Sequence, residues 1–161
     1  MIVIRNWKPL QINGKFYVAF EKWNEEDAND SENNGIYVYV APNDEINFDD
    51  LENHPDCQRV QATKNPTVML DIDVKDNTAG VAWVEDTPDG LLINLAETFY
   101  GGTNKFVICS NPTSLPNARA MESLDLTITR NKSDGKYEYL LLYVWIHKQT
   151  GARYGGKRRH C

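Results

Sequence analysis

Short alternations of apolar and polar residues, separated by turn-forming residues, run through most of the chain and predict strands. In the run at 16–20, Phe16, Val18 and Phe20 share one face, while Tyr17, Ala19 and Glu21 share the other. Asn13-Gly14 precedes this run and favours a tight hairpin, because a type I′ turn needs φ > 0 at both central residues. Gly35 opens Ile36-Tyr37-Val38-Tyr39-Val40, with β-branched residues on one side and tyrosines on the other. Val68, Leu70, Ile72 and Val74 then alternate with Met69, Asp71, Asp73 and Lys75, the pattern of a half-buried strand. Turns at 77–80 and 87–90 lead into Val81-Ala82-Trp83-Val84 and Leu91-Leu92-Ile93-Asn94-Leu95.

Two kinds of segment read differently. Residues 91–99 also fit a helical stripe through Leu91, Leu92, Leu95, Ala96 and Phe99, with Asp89 and Gly101 as caps; the strand is favoured because the neighbouring runs are strands. Short helical turns fit residues 46–51 and 118–123. The run at 139–146 is apolar on both faces, as expected of a central strand. Eight to ten strands at this spacing predict an all-β fold, an antiparallel β-sandwich with Greek-key or jelly-roll connections and at most one or two helical turns. The expected organisation is one domain over residues 1–147, followed by a flexible basic tail over 148–161 that is rich in glycine.

Charge changes this picture by being sorted along the chain. Residues 21–56 hold 12 of the 23 acidic residues and a single basic one, Lys22, whereas the last 14 residues hold five basic residues and no acid. The net charge is −6, which argues against a dedicated nucleic-acid binder, since phosphate neutralisation needs a broad basic surface. An acidic segment and a basic tail instead suggest self-docking or a charged protein partner, through Asp27, Asp30 and Glu32 on one side and Lys157, Arg158 and Arg159 on the other. No apolar run approaches the roughly 18 residues of a membrane helix, and no signal-peptide pattern opens the chain, so it reads as soluble and cytoplasmic, with export as the alternative.

Candidate chemistry is sparse. No P-loop, GxSxG, GxGxxG or HExxH pattern occurs. Asp71, Asp73 and Asp76 offer hard oxygen ligands that suit calcium, with Asp71 and Asp73 spaced about 6–7 Å apart on one strand face. Tyr37 and Tyr39 offer two rings on one face for stacking a sugar. Cys109 with His147 has the order of a thiol nucleophile and its base, although a cysteine within Phe-Val-Ile-Cys is expected to pack in a core. His54, Cys57, His160 and Cys161 form a further, poorly spaced metal set. The expectation is a non-catalytic recognition or self-assembly module with no cofactor, whose partner is another protein or a second copy. A glycan-binding sandwich assisted by calcium is the first alternative, and a cysteine hydrolase the second.

Overall fold

The structure, a computed structural model, describes residues 1–45, 57–98 and 105–159. Among these residues the fold is all-β, with 12 strands in three antiparallel sheets and no helix, so no helix is long and apolar enough to cross a membrane. The chain divides into two compact units, Met1–Pro66 and Thr67–Cys161, where a single domain with a loose tail was expected.

The first unit is a four-stranded meander of β1 (Ile2–Ile12), β2 (Lys15–Asn24), β3 (Gly35–Pro42) and β4 (Cys57–Ala62). Asn13 and Gly14 join β1 to β2 at φ 53° and 73°, the geometry their sequence demands. Phe16, Val18 and Phe20 pair across the sheet with Ala41, Tyr39 and Tyr37. Val18, Phe20, Tyr37, Tyr39 and Ala41 form one apolar cluster, with Phe20 and Tyr37 stacked at 5.6 Å. A bulge between Arg5 and Lys8 breaks the register of β1 and puts Asn6 at φ 58°.

The second unit is a sandwich of two sheets. One sheet contains β5 (Thr67–Lys75), β6 (Thr78–Thr87), β7 (Gly90–Glu97), β8 (Val107–Ile108) and β9 (Thr113–Leu115). The other contains β10 (Ala118–Arg130), β11 (Tyr137–His147) and β12 (Arg153–Arg158). Their facing sides bury Ala82, Val84, Ile93 and Leu95 against Leu124, Leu126, Ile128 and Leu141. Each fully buried aliphatic side chain contributes about 2 kcal/mol of hydrophobic stabilisation.

Several expectations change here. The run at 91–97 is strand β7, because its apolar residues lie within a ladder running from Gly80–Glu97 to Thr87–Gly90. The helical turn expected at 118–123 is instead the start of β10, held in pairing with β11 through two bulges. The turn expected at 46–51 lies outside the described residues. Within each sheet the principal path joins sequence neighbours, with β9 pairing β7 off that path, so the sheets are meanders in place of Greek-key or jelly-roll crossings.

The expected tail is corrected most clearly. Residues 153–158 form β12, paired to β11 from Ile146–Arg153 to Leu141–Arg158. Its glycines serve packing more than flexibility. Tyr143 lies opposite Gly156, and a Cβ there would sit 2.3 Å from the tyrosine ring. The missing side chain lets an aromatic lie across the edge strand.

Candidate interaction surface

Strand β12 is an edge of its sheet and is largely exposed. Arg153 is committed internally, with its Nε 2.7 Å from Glu122 Oε2, an ion pair that pushes the Arg153 pKa up. Arg158 Nη1 donates to Thr113 Oγ1 at 3.3 Å. Lys157 and Arg159 are exposed and have no acidic partner among the described residues. The basic segment is therefore a shaped edge with two uncommitted cations.

The outer face of this sheet is partly apolar. Leu140, Leu142, Val144 and Ile146 alternate along β11 on the side opposite the buried Leu141, and Leu142 is 44 % exposed. Above Gly155, where no side chain projects, a shallow trough of about 750 Å³ opens between Ser123, Asp125, Leu142, Val144 and Lys157. At one end of β12, Tyr154 stacks on Trp145 at 4.9 Å with His147 beside both rings, and Tyr154 is 47 % exposed.

The acidic segment of the first unit is equally well formed. Residues 25–34 are laced by asparagine and aspartate side chains. Asn24 Nδ2 and Asn33 Nδ2 donate to Asp30 Oδ2 at 2.9 and 2.8 Å. Asn24 N donates to Asn34 Oδ1, and Asn34 Nδ2 to the Asp27 carbonyl. Arg59 Nη1 on β4 donates to the Ser31 carbonyl at 2.6 Å. Glu25, Asp27 and Glu32 remain exposed on this fixed frame, while Glu26 pairs with the N-terminal ammonium at 3.2 Å. Asparagines in such numbers are a sign of local side-chain-to-backbone bonding that composition alone does not distinguish from disorder.

The amides of Asn24 and Asn33 hold the Asp30 carboxyl below the usual carboxylate range. A lowered folded-state pKa means that this contribution to loop order is present above the ordinary value and is lost as pH falls through the lowered one. Carbon-detected NMR titration should give Asp30 a midpoint below that of an unstructured aspartate. Amide protection at Asn33 should fall in the same acid step. A midpoint at the ordinary value would refute the role of these bonds.

The other candidate residues are placed elsewhere. Tyr37 and Tyr39 are 7 % and 0 % exposed and belong to the core of the first unit, so they present no ring to a sugar. Burial pushes the Tyr37 hydroxyl pKa up, and its proton goes to the Asn33 carbonyl at 2.9 Å. The tyrosines of β3 do alternate with its valines, but both faces of the strand are buried.

Asp71, Asp73 and Asp76 do not converge as a calcium site. Asp71 Oδ2 accepts the Leu126 amide proton at 2.8 Å, and Asp73 Oδ2 that of Ile128 at 2.7 Å. Asp76 Oδ2 accepts the Tyr137 hydroxyl at 2.7 Å. Among the described residues no group of three His, Cys, Asp or Glu side chains is arranged to hold a metal.

Cys109 is disulfide-bonded and buried, so its sulfur is no thiolate for His147 to activate. Cys57 is half-buried and forms no disulfide. His54, His160 and Cys161 lie outside the described residues. His147 Nδ1 accepts backbone N–H bonds from Gln149 and Thr150, at 3.1 and 3.4 Å, and so shapes the turn before β12. Neither a protein-family model, nor a curated protein, nor a solved structure matches this chain.

Proposed function

We propose that this protein is a non-catalytic recognition or assembly module that presents β12 and the outer face of its sheet to the acidic β2–β3 loop of another copy. The observation that carries this reading is the basic sheet edge, where Lys157 on β12 and Arg159 just beyond it stand exposed without acidic partners among the described residues. An edge strand offers unpaired backbone groups, and flanking cations select an acidic partner and disfavour uncharged strands. On the acidic side, the carboxylates of Glu25 and Glu32 are exposed without cationic partners among the described residues. The two surfaces differ, so the contact is heterologous and builds rings or open filaments rather than a twofold dimer. A disulfide at Cys109 favours an oxidising setting over the reducing cytosol.

Charge reversal tests the reading without disturbing the fold. Truncation after His147 would strip β12 from β11 and expose a new sheet edge, so substitution is the cleaner probe. The expected result is salt-sensitive self-association by light scattering, because exposed charges are screened beyond about 8 Å at physiological ionic strength. Combining Lys157→Glu with Arg159→Glu should weaken it at least about tenfold. Adding Glu25→Lys and Glu32→Lys to the same chain should restore it. A wild-type protein that stays monomeric at every salt concentration would overturn the self-assembly reading.

A further inference from the structure

The end of the second unit away from the β11–β12 turn carries a separate cluster. Here the β5–β6 turn meets the β10–β11 turn around a cavity of about 460 Å³ lined by Lys75, Asp76, Arg130, Asn131, Lys132 and Gly135. Three of these residues are cationic and one is acidic, an excess of two positive charges in a protein whose net charge is −6. The ammonium groups of Lys75 and Lys132 have no acidic partner among the described residues.

Arg130 is held in place from several sides. Its Nε donates to the Gly135 carbonyl at 3.1 Å, and its guanidinium lies 5.5 Å from the centre of the Tyr137 ring. Its Nη1 is 3.9 Å from Asp76 Oδ2, too long for a direct hydrogen bond, while Tyr137 supplies that oxygen with a proton at 2.7 Å. Asp76 thus orients the guanidinium without using up its terminal donors.

The supporting turn is also fixed. Asn131 N donates to the Lys136 carbonyl and Gly135 N to the Asn131 carbonyl, both at 2.8 Å. Ser133 N donates to Asn131 Oδ1 at 2.8 Å and Lys136 N to Asp134 Oδ1 at 2.9 Å. Little conformational freedom is left to lose when a ligand enters.

We propose that this cavity binds a phosphate dianion, free or as a monoester, with the Arg130 terminal nitrogens as a fork and Lys75 and Lys132 as flanking charges. The excess of two positive charges matches a phosphate dianion better than a single carboxylate. A planar guanidinium pairs two phosphate oxygens at once, which an ammonium does not do.

The test is NMR titration of the full chain with inorganic phosphate, against sodium chloride at matched ionic strength, with O-phosphoserine as a parallel arm. Saturable shifts confined to Lys75, Arg130, Lys132 and Tyr137 are expected with phosphate and absent with chloride. Changing both Lys75 and Lys132 to glutamine should weaken binding about tenfold. Arg130→Lys should weaken it although the charge is kept. All three side chains are exposed, so unchanged thermal unfolding serves as the folding control. Tighter binding of O-phosphoserine assigns the site to an esterified phosphate, and equal binding assigns it to the free ion. Shifts that fail to saturate, that chloride reproduces, or that survive all these substitutions would overturn the proposal.

Discussion

Replacing Asp71 and Asp73 together by alanine is expected to destabilise the protein by about 4 kcal/mol, since a hydrogen bond from a neutral donor to a charged group contributes about 1.5–3 kcal/mol. The two carboxylates project from β5, one sheet's edge, and accept the Leu126 and Ile128 amide protons of β10, the facing sheet's edge. Residues two apart on a strand repeat every 6–7 Å or so, and the amides two apart on β10 repeat at the same interval. The pair therefore stitches the two sheets along one side of the sandwich. Removing the acids leaves two inward amide protons with no acceptor. Urea unfolding followed by tryptophan fluorescence measures the loss, and Asn at both positions, which keeps an acceptor oxygen, should cost roughly half as much. Calcium and chelators should leave the transition unmoved. A double-alanine variant as stable as the parent would show that these carboxylates contribute nothing to sheet packing.

Arg5→Ala should cost about 3 kcal/mol, the lower end of what is lost when one member of a buried ion pair is removed. Glu21 is 0 % exposed, and its Oε1 receives both Arg5 Nε and, at 3.2 Å, Asn6 Nδ2. The bulge in β1 makes this possible, because turning Asn6 into the left-handed region brings two consecutive side chains to one carboxylate. The Arg5 side chain is 37 % exposed and Asn6 remains as a donor, and both facts hold the expected cost below the upper limit. Glu21→Gln, which removes the buried charge and keeps a hydrogen-bonding oxygen, should be the milder change. Equal losses for Arg5→Ala and Glu21→Gln would mean that the charge itself is unimportant. Chemical denaturation of the three proteins side by side decides between these outcomes.

Local physics made part of this molecule legible. The Asn13-Gly14 hairpin, the strands at 16–20, 36–40 and 68–74, and the all-β class follow from side-chain period and turn chemistry, which act within a few residues. The separation of charge was equally plain. Its use was not, because Arg153 is committed to Glu122, 31 residues away, while Lys157 remains uncommitted four positions later.

What tertiary structure decided lies where a residue's partner is distant in the chain. Alternation on β3 gave the correct facing of Tyr37 and Tyr39, but only packing on both sides of the strand made them core instead of platform. Asp71 and Asp73 have the same spacing whether they meet calcium or amide protons 55 residues away, and the sheet-to-sheet register made the choice. The glycines near the C-terminus read locally as freedom, whereas opposite Tyr143 the absence of a Cβ is what allows a paired edge strand. By itself the sequence determined period, turn type and net charge, since each is set by neighbouring residues. The tertiary structure decided which faces are doubly buried and which charges are answered, because both depend on contacts between residues far apart in the chain.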